Sequence, residues 1–121
     1  MNIHTPTPTP PLSIREATKR FGITSRALRF YEEQGMVVPV HPDGAQRSYS
    51  ADQVVLLALI VDWRRLGFSI REIKHHLAQP AAARPAHAAY MYSRRRDAAR
   101  AAVLRDSAVI RDLTARIGDD A

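Results

Sequence analysis

Ser13-Ile-Arg-Glu16-Ala-Thr-Lys-Arg-Phe21-Gly22-Ile-Thr24-Ser-Arg-Ala-Leu-Arg-Phe-Tyr-Glu-Glu-Gln34-Gly35 is the stretch that decides the fold. Ser13 opens it with a capping box: its hydroxyl can accept from the amide three residues on, and Glu16 can reach back to the Ser13 amide. Ile14, Ala17 and Phe21 then recur at helical spacing, which predicts a helix over 14–21. Gly22 ends it, as the residue most tolerant of a left-handed turn. Thr24 caps a second helix, about Ser25 to Gln34, closed by Gly35. Its inward set is Ala27, Leu28 and either Tyr31 or Phe30. Two short helices joined through Gly22-Ile23-Thr24 make a helix-turn-helix pattern.

Working outward, Met36-Val37-Val38-Pro39-Val40, an Asp43-Gly44 turn and Arg47-Ser48-Tyr49 read as a short hairpin, a wing. Pro39 and Pro42 keep it edge-like. Ser50 with Gln53, and Ser69 with Glu72, repeat the capping-box signature. They open a third helix, about Ala51 to Leu66, and a fourth, about Ile70 to Ala78. The third is the most apolar segment. Val54, Leu57, Ala58, Val61 and Leu66 share a face, Val55, Leu59 and Ile60 widen it, and Trp63 extends the stripe or packs at its rim. The fourth buries Ile70, Ile73 and Leu77. Residues 80–85, rich in Ala and Pro, read as a linker.

A long helix over 86–117 follows, then a short tail over 118–121. Tyr92, Arg96, Ala99, Val103, Asp106, Ile110, Leu113 and Ile117 alternate by four and three, a heptad seam. A helix with a seam and nothing else to pack on predicts dimerisation, here as an antiparallel coiled coil. Arg96 and Asp106 would then each face a charged residue of the partner. The Thr/Pro-rich start, 1–11, reads as a disordered tail. The fold class is mainly α: a winged helix-turn-helix domain over 12–79 followed by a dimerisation helix.

Lys and Arg number 18 against 12 Asp and Glu, so the net charge is +6 and favours polyanionic partners. Lys19 and Lys74 are the only lysines, so Arg carries nearly all of that charge, in a planar fork suited to phosphates and guanine edges. The absence of Cys excludes disulfides and thiolate metal sites within this sequence. No apolar run reaches bilayer-spanning length and the start lacks a secretory pattern, so a cytoplasmic protein with no membrane partner is expected. Five His are present. His75 and His76 are adjacent, so they point about 100° apart on a helix and do not share an ion easily, and neither has a ligand three or four residues on. No metal or other cofactor is expected. No nucleophile–base pattern, phosphate loop or paired carboxylates suggest an enzyme.

The order of parts resembles the mercury-resistance regulator (MerR) family. Gly22-Ile-Thr-Ser-Arg-Ala-Leu-Arg-Phe-Tyr-Glu32 is similar to that family's second-helix motif, and Gly35-Met36-Val37 follows in place. Arg47-Ser48-Tyr49 with Asp52, and Arg65-Leu-Gly-Phe-Ser-Ile-Arg-Glu-Ile73, match two further motifs, so the likeness covers about 12–77. Ala27, Phe30 and Ala45-Gln46 depart from the usual residues. With nothing after the long helix, the resemblance is to a short form without a ligand-binding domain.

The resemblance implies a homodimer on double-stranded promoter DNA. It would read an inverted repeat and distort an overlong spacer so that RNA polymerase can engage, near the nucleoid. Ser25, Arg26 and Arg29 would meet base edges in the major groove. Tyr31 either donates to a phosphate or is a core aromatic. Arg47 would reach phosphate or the minor groove, and Tyr49, placed with the wing contacts, also suits packing between wing and third helix. Arg64, Arg65, Arg71 and Lys74 flank the third-to-fourth helix junction and, with the Ser69 helix start as a phosphate site, together read as a second wing, whereas each charge taken singly reads as an ordinary surface group. Tyr92, Ala99, Val103, Asp106, Ile110, Leu113 and Ile117 would form the dimer seam. Arg94-Arg95-Arg96 reads as a solvated face of the coil rather than a DNA contact. Two other classes remain: an architectural or excisionase-like DNA protein, against which the long helix argues, and a protein-interaction adaptor, against which Arg26, Arg29 and Arg47 argue.

Overall fold

The structure, a computed structural model, describes residues 12–40 and 47–118. The expected terminal tails and the Asp43-Gly44 turn of the wing lie outside the described residues, Gly118 excepted. The elements run β1 (Leu12–Ser13), α1 (Ile14–Phe21), α2 (Ser25–Glu33), β2 (Ser48–Tyr49), α3 (Ala51–Arg65), α4 (Ile70–Leu77) and α5 (Arg84–Ile117). The chain divides into two compact units, one ending at Arg65 and one beginning at Leu66.

In the first unit, local chemistry sets the helix ends. Ser13 Oγ accepts from the Glu16 amide at 3.1 Å, and Thr24 Oγ1 from the Ala27 amide at 3.0 Å. Gly22 closes α1 in the left-handed region, φ 63°, and its amide bonds back to Thr18 O. The tight turn that sets α2 against α1 follows from that one residue. At α3 the side chain of Gln53 is used outside its own helix: Oε1 accepts from the Val38 amide at 2.8 Å and so steadies the chain leading into the wing.

The sheet at the base of the wing includes a strand the sequence pattern did not predict. Ser48 pairs with Val40 through a single bridge, while β2 pairs antiparallel with β1, Leu12 opposite Tyr49 and Ser13 opposite Ser48. Met36 and Val37, placed in the first wing strand, are instead core residues. The remaining core is Ala17, Leu28, Tyr31, Tyr49, Val54, Leu57, Ile60, Val61 and Trp63. The face of α3 is therefore rotated from the one predicted: Ile60 is central, Ala58 is exposed, and Leu66 and Val55 stand out to solvent. Tyr31, not Phe30, is the inward aromatic of α2.

In the second unit, Ser69 and Glu72 form a complete capping box at the start of α4. Ile73, Phe68, His76 and Met91 are its buried side chains. The stretch read as a linker is ordered. Ala81–Ala83 form a turn of 3-10 helix, and α5 begins at Arg84, with Pro85 in its first turn, where a missing amide donor costs nothing. Arg84 turns back to donate to Gln79 O at 3.2 Å and Leu77 O at 3.1 Å, satisfying carbonyls at the end of α4. No helix among the described residues is long and apolar enough to cross a membrane.

Candidate nucleic-acid interface

Burying Leu28 and Tyr31 fixes the rotation of α2 and turns Ser25, Arg26 and Arg29 outward on its first turns. All three are exposed. Neither arginine makes a hydrogen bond or ion pair among the described residues, and no acidic residue lies in the first turn. The helix start adds the positive end of its dipole to the two guanidiniums. The result is an anion-attracting helix face with its Arg forks uncommitted.

The other expected contacts are placed differently. Tyr49 is 0 % exposed, and its hydroxyl donates to Glu32, so it packs in the core. Burial, then the Glu32 carboxylate, push its phenol well above the ordinary value, opposed by Arg47. Arg47 does not stand free at the wing base. It is ion-paired with Glu32, and its Nε is buried without a partner among the described residues. Tyr31 is buried, with 7% of its surface exposed. Arg65 donates from Nη2 to Phe21 O at 2.9 Å, bracing the last carbonyls of α1 beside the Gly22 turn. In the sequence Glu32 stands out only as part of a motif. Its position at the end of α2, followed by a wing that carries Arg and Tyr, was the signal available.

In the second unit Arg71 and Lys74 are exposed on α4. The Ser69 site is partly closed: its amide is taken by Glu72 Oε1 at 2.9 Å, and its hydroxyl by the Glu72 amide at 3.1 Å. That occupies two of the amide donors a phosphate would need, those of Ser69 and Glu72. Arg94, Arg95 and Arg96 each have a partner close by: the Tyr90 hydroxyl, Leu66 O and Asp97. The apolar residues of the expected seam, Val103, Ile110, Leu113 and Ile117, are exposed along α5, joined by Leu104 and Val109. Ala99 and Asp106 are exposed as well. Tyr92 differs, because its ring packs on Phe68 with centroids 6.2 Å apart.

The histidines are brought together in a way their sequence spacing conceals. His87 of α5 reaches both α4 histidines: its ring lies 5.3 Å from His75 and stacks on His76 at 5.0 Å. Among the described residues no group of three His, Asp or Glu is arranged to hold a metal ion.

The profile of the MerR HTH family of regulatory proteins matches residues 12–80, more than half of the chain. The chain belongs to the MerR family. Members of this family are transcription regulators, not enzymes. The matched segment runs across the division between the two compact units at Arg65. Over 68 residues the chain is 40% identical to the HTH-type transcriptional regulator CueR of Yersinia pestis, covering 55% of this chain and 49% of that protein. The chain thus spans about half the length of the curated MerR relatives it matches. A MerR-family regulator from Bacillus cereus shares the fold with a TM-score of 0.72 at 24% identity, over 92% of this chain and 85% of the other. HiNmlR, a MerR regulator lacking the sensor domain and solved on promoter DNA, shares it with a TM-score of 0.58 at 15% identity, over 84% and 79%.

Proposed function

We propose that this MerR-family chain is a sequence-specific DNA-binding transcription regulator of the cytoplasm. In this reading it acts as a homodimer on an inverted-repeat promoter site and distorts the DNA between its half-sites, so that RNA polymerase can engage the promoter. The observation that carries the reading is the outward face of α2. Ser25, Arg26 and Arg29 project from the first turns of the second helix of a helix-turn-helix, the part of that motif that enters the major groove. The Arg forks match the O6 and N7 acceptors of guanine. HiNmlR, on its promoter DNA, is a precedent for the same fold.

The exposed apolar stripe of α5 supports the dimer, since a stripe of that length is covered most simply by a second copy. Two copies related by a twofold axis match an inverted repeat. Bending the duplex costs on the order of several kcal/mol, offset by contacts from both subunits.

Selection of bound duplexes from a random pool tests the reading. An inverted repeat with two half-sites is the expected product. Recovery of duplexes with no shared sequence would refute sequence-specific binding.

A further inference from the structure

Glu32 sits in the last turn of α2, and Arg47 and Tyr49 sit at the base of the wing. Its carboxylate accepts from both, across 15 and 17 residues of sequence. The three side chains are largely removed from water: Glu32 is 10% exposed, Arg47 22%, and Tyr49 is fully buried. The helix that presents Arg26 and Arg29 on one face therefore holds the wing base by another. An Arg taken up by a buried carboxylate is not available to a phosphate. A free one would add a contact that every DNA sequence offers equally, strengthening binding without regard to sequence.

We propose that Glu32 is a specificity-determining positioning residue, whose carboxylate withholds Arg47 from indiscriminate phosphate contact and ties the wing base to the recognition helix. The proposal rests on the DNA-binding reading above. Phosphate and carboxylate compete for one guanidinium, and the protein's own carboxylate, held by Tyr49 as well, wins. The wing then contacts DNA only where α2 has seated the whole unit, so wing placement follows base readout.

The test compares the full chain with Glu32→Ala, Glu32→Gln and the double variant Glu32→Ala/Arg47→Ala. Each is titrated by fluorescence anisotropy onto the selected duplex and onto a scrambled one, over a range of salt. Both single variants should bind the scrambled duplex more tightly. Their plots of log affinity against log salt should steepen by about 0.9 per bound subunit, the signature of one additional phosphate contact. Their preference for the selected duplex should fall about tenfold, because on that duplex the seating of α2 already fixes the wing base, so a freed Arg47 gains less there than on the scrambled one. The double variant should lose the extra slope, which a purely structural role for Glu32 does not predict. Glu32→Gln is close to isosteric and its amide oxygen still accepts from Tyr49, so it carries the comparison if Glu32→Ala fails to fold. A wild-type chain that prefers no duplex overturns the DNA-binding reading and this proposal with it. A selective wild-type chain whose slope and preference survive both single substitutions overturns this proposal alone, as does equal weakening on both duplexes at unchanged slope.

Discussion

The Nδ1 atoms of His76 on α4 and His87 on α5 lie within hydrogen-bond distance, 2.7 Å apart. His76 is 2 % exposed. Burial lowers its pKa below the usual histidine value, reinforced by His87, Arg84 and His75. The folded state therefore prefers His76 neutral, while the unfolded chain takes up a proton near pH 6.5. The stability this pair contributes is complete above that pH and is lost as the pH falls toward the depressed folded value. The thermal midpoint, followed by circular dichroism, should drop between pH 7.5 and 5. The drop should be shallower in His76→Leu, which has no proton to accept. Parallel pH profiles for the two proteins would show that the pair does not govern acid stability.

Gly67 adopts φ 92°, and a Cβ built on it would meet the Arg95 guanidinium, 2.5 Å from Nη2. That same guanidinium donates from Nε to Leu66 O at 2.8 Å. The steric part is cheap, because the end of an arginine can move, but moving it breaks the bond to Leu66. The backbone part cannot be relieved by side-chain movement. Gly67→Ala should cost about 1–3 kcal/mol, the usual penalty for an L residue held at positive φ. Arg95→Ala should cost less, about 1 kcal/mol for one net hydrogen bond. Chemical denaturation of both variants gives the order. An Arg95→Ala loss larger than that of Gly67→Ala would mean that the guanidinium, not the backbone, dominates this turn.

What the sequence made legible follows from how local each cause is. Helix starts at Ser13, Thr24 and Ser69 were readable because a cap acts over three residues. The apolar wall of α3 was readable as a helix but not as a face. With Val54, Val55, Leu56, Leu57, Leu59, Ile60 and Val61 all apolar, periodicity does not choose a rotation, and tertiary packing chose Ile60 over Ala58 and Leu66. Phe30 and Tyr31 posed the same problem in α2. A two-residue strand such as Leu12–Ser13 has too few positions to show alternation. The exposed face of α2 came through because its partner, Leu28, was unambiguous. Where Arg47, Arg65 and Arg95 end was not legible. A long side chain reaches groups many residues away, and Glu32, Phe21 O and Leu66 O are neighbours only once the chain has folded.

The proposed dimer depends on α5. Ile110 and Leu113 are 63% and 53% exposed, on a helix whose last two turns have little else to bury. Ile110→Asp with Leu113→Asp places charge in the centre of that stripe. Analytical ultracentrifugation should then report a monomer at concentrations where the unmodified chain is a dimer. Affinity for a two-half-site duplex should fall by at least tenfold, because the second half-site no longer binds intramolecularly. Helix content should hardly change, since both positions face solvent within the chain. A double variant that still sediments as a dimer would place the interface elsewhere.

Arg29 gives the sharpest check on sequence readout. It lies one helical turn beyond Ser25 on the exposed face of α2 and has no ion-pair partner among the described residues, so removing it disturbs nothing in the fold. A bidentate Arg–guanine contact contributes roughly 1–3 kcal/mol of discrimination. Arg29→Ala should therefore bind the selected duplex about 10- to 100-fold more weakly, while binding to a scrambled duplex changes little. Base preference should relax at one position in each half-site. Arg29→Lys should recover only part of the loss, because an ammonium keeps the charge but not the planar fork. Lys74→Ala on α4 is the contrast: a phosphate-contacting lysine should weaken both duplexes alike and flatten the salt dependence by about one unit. If Arg29→Ala behaves as Lys74→Ala does, Arg29 neutralises phosphate, and base reading must come from Ser25 and Arg26.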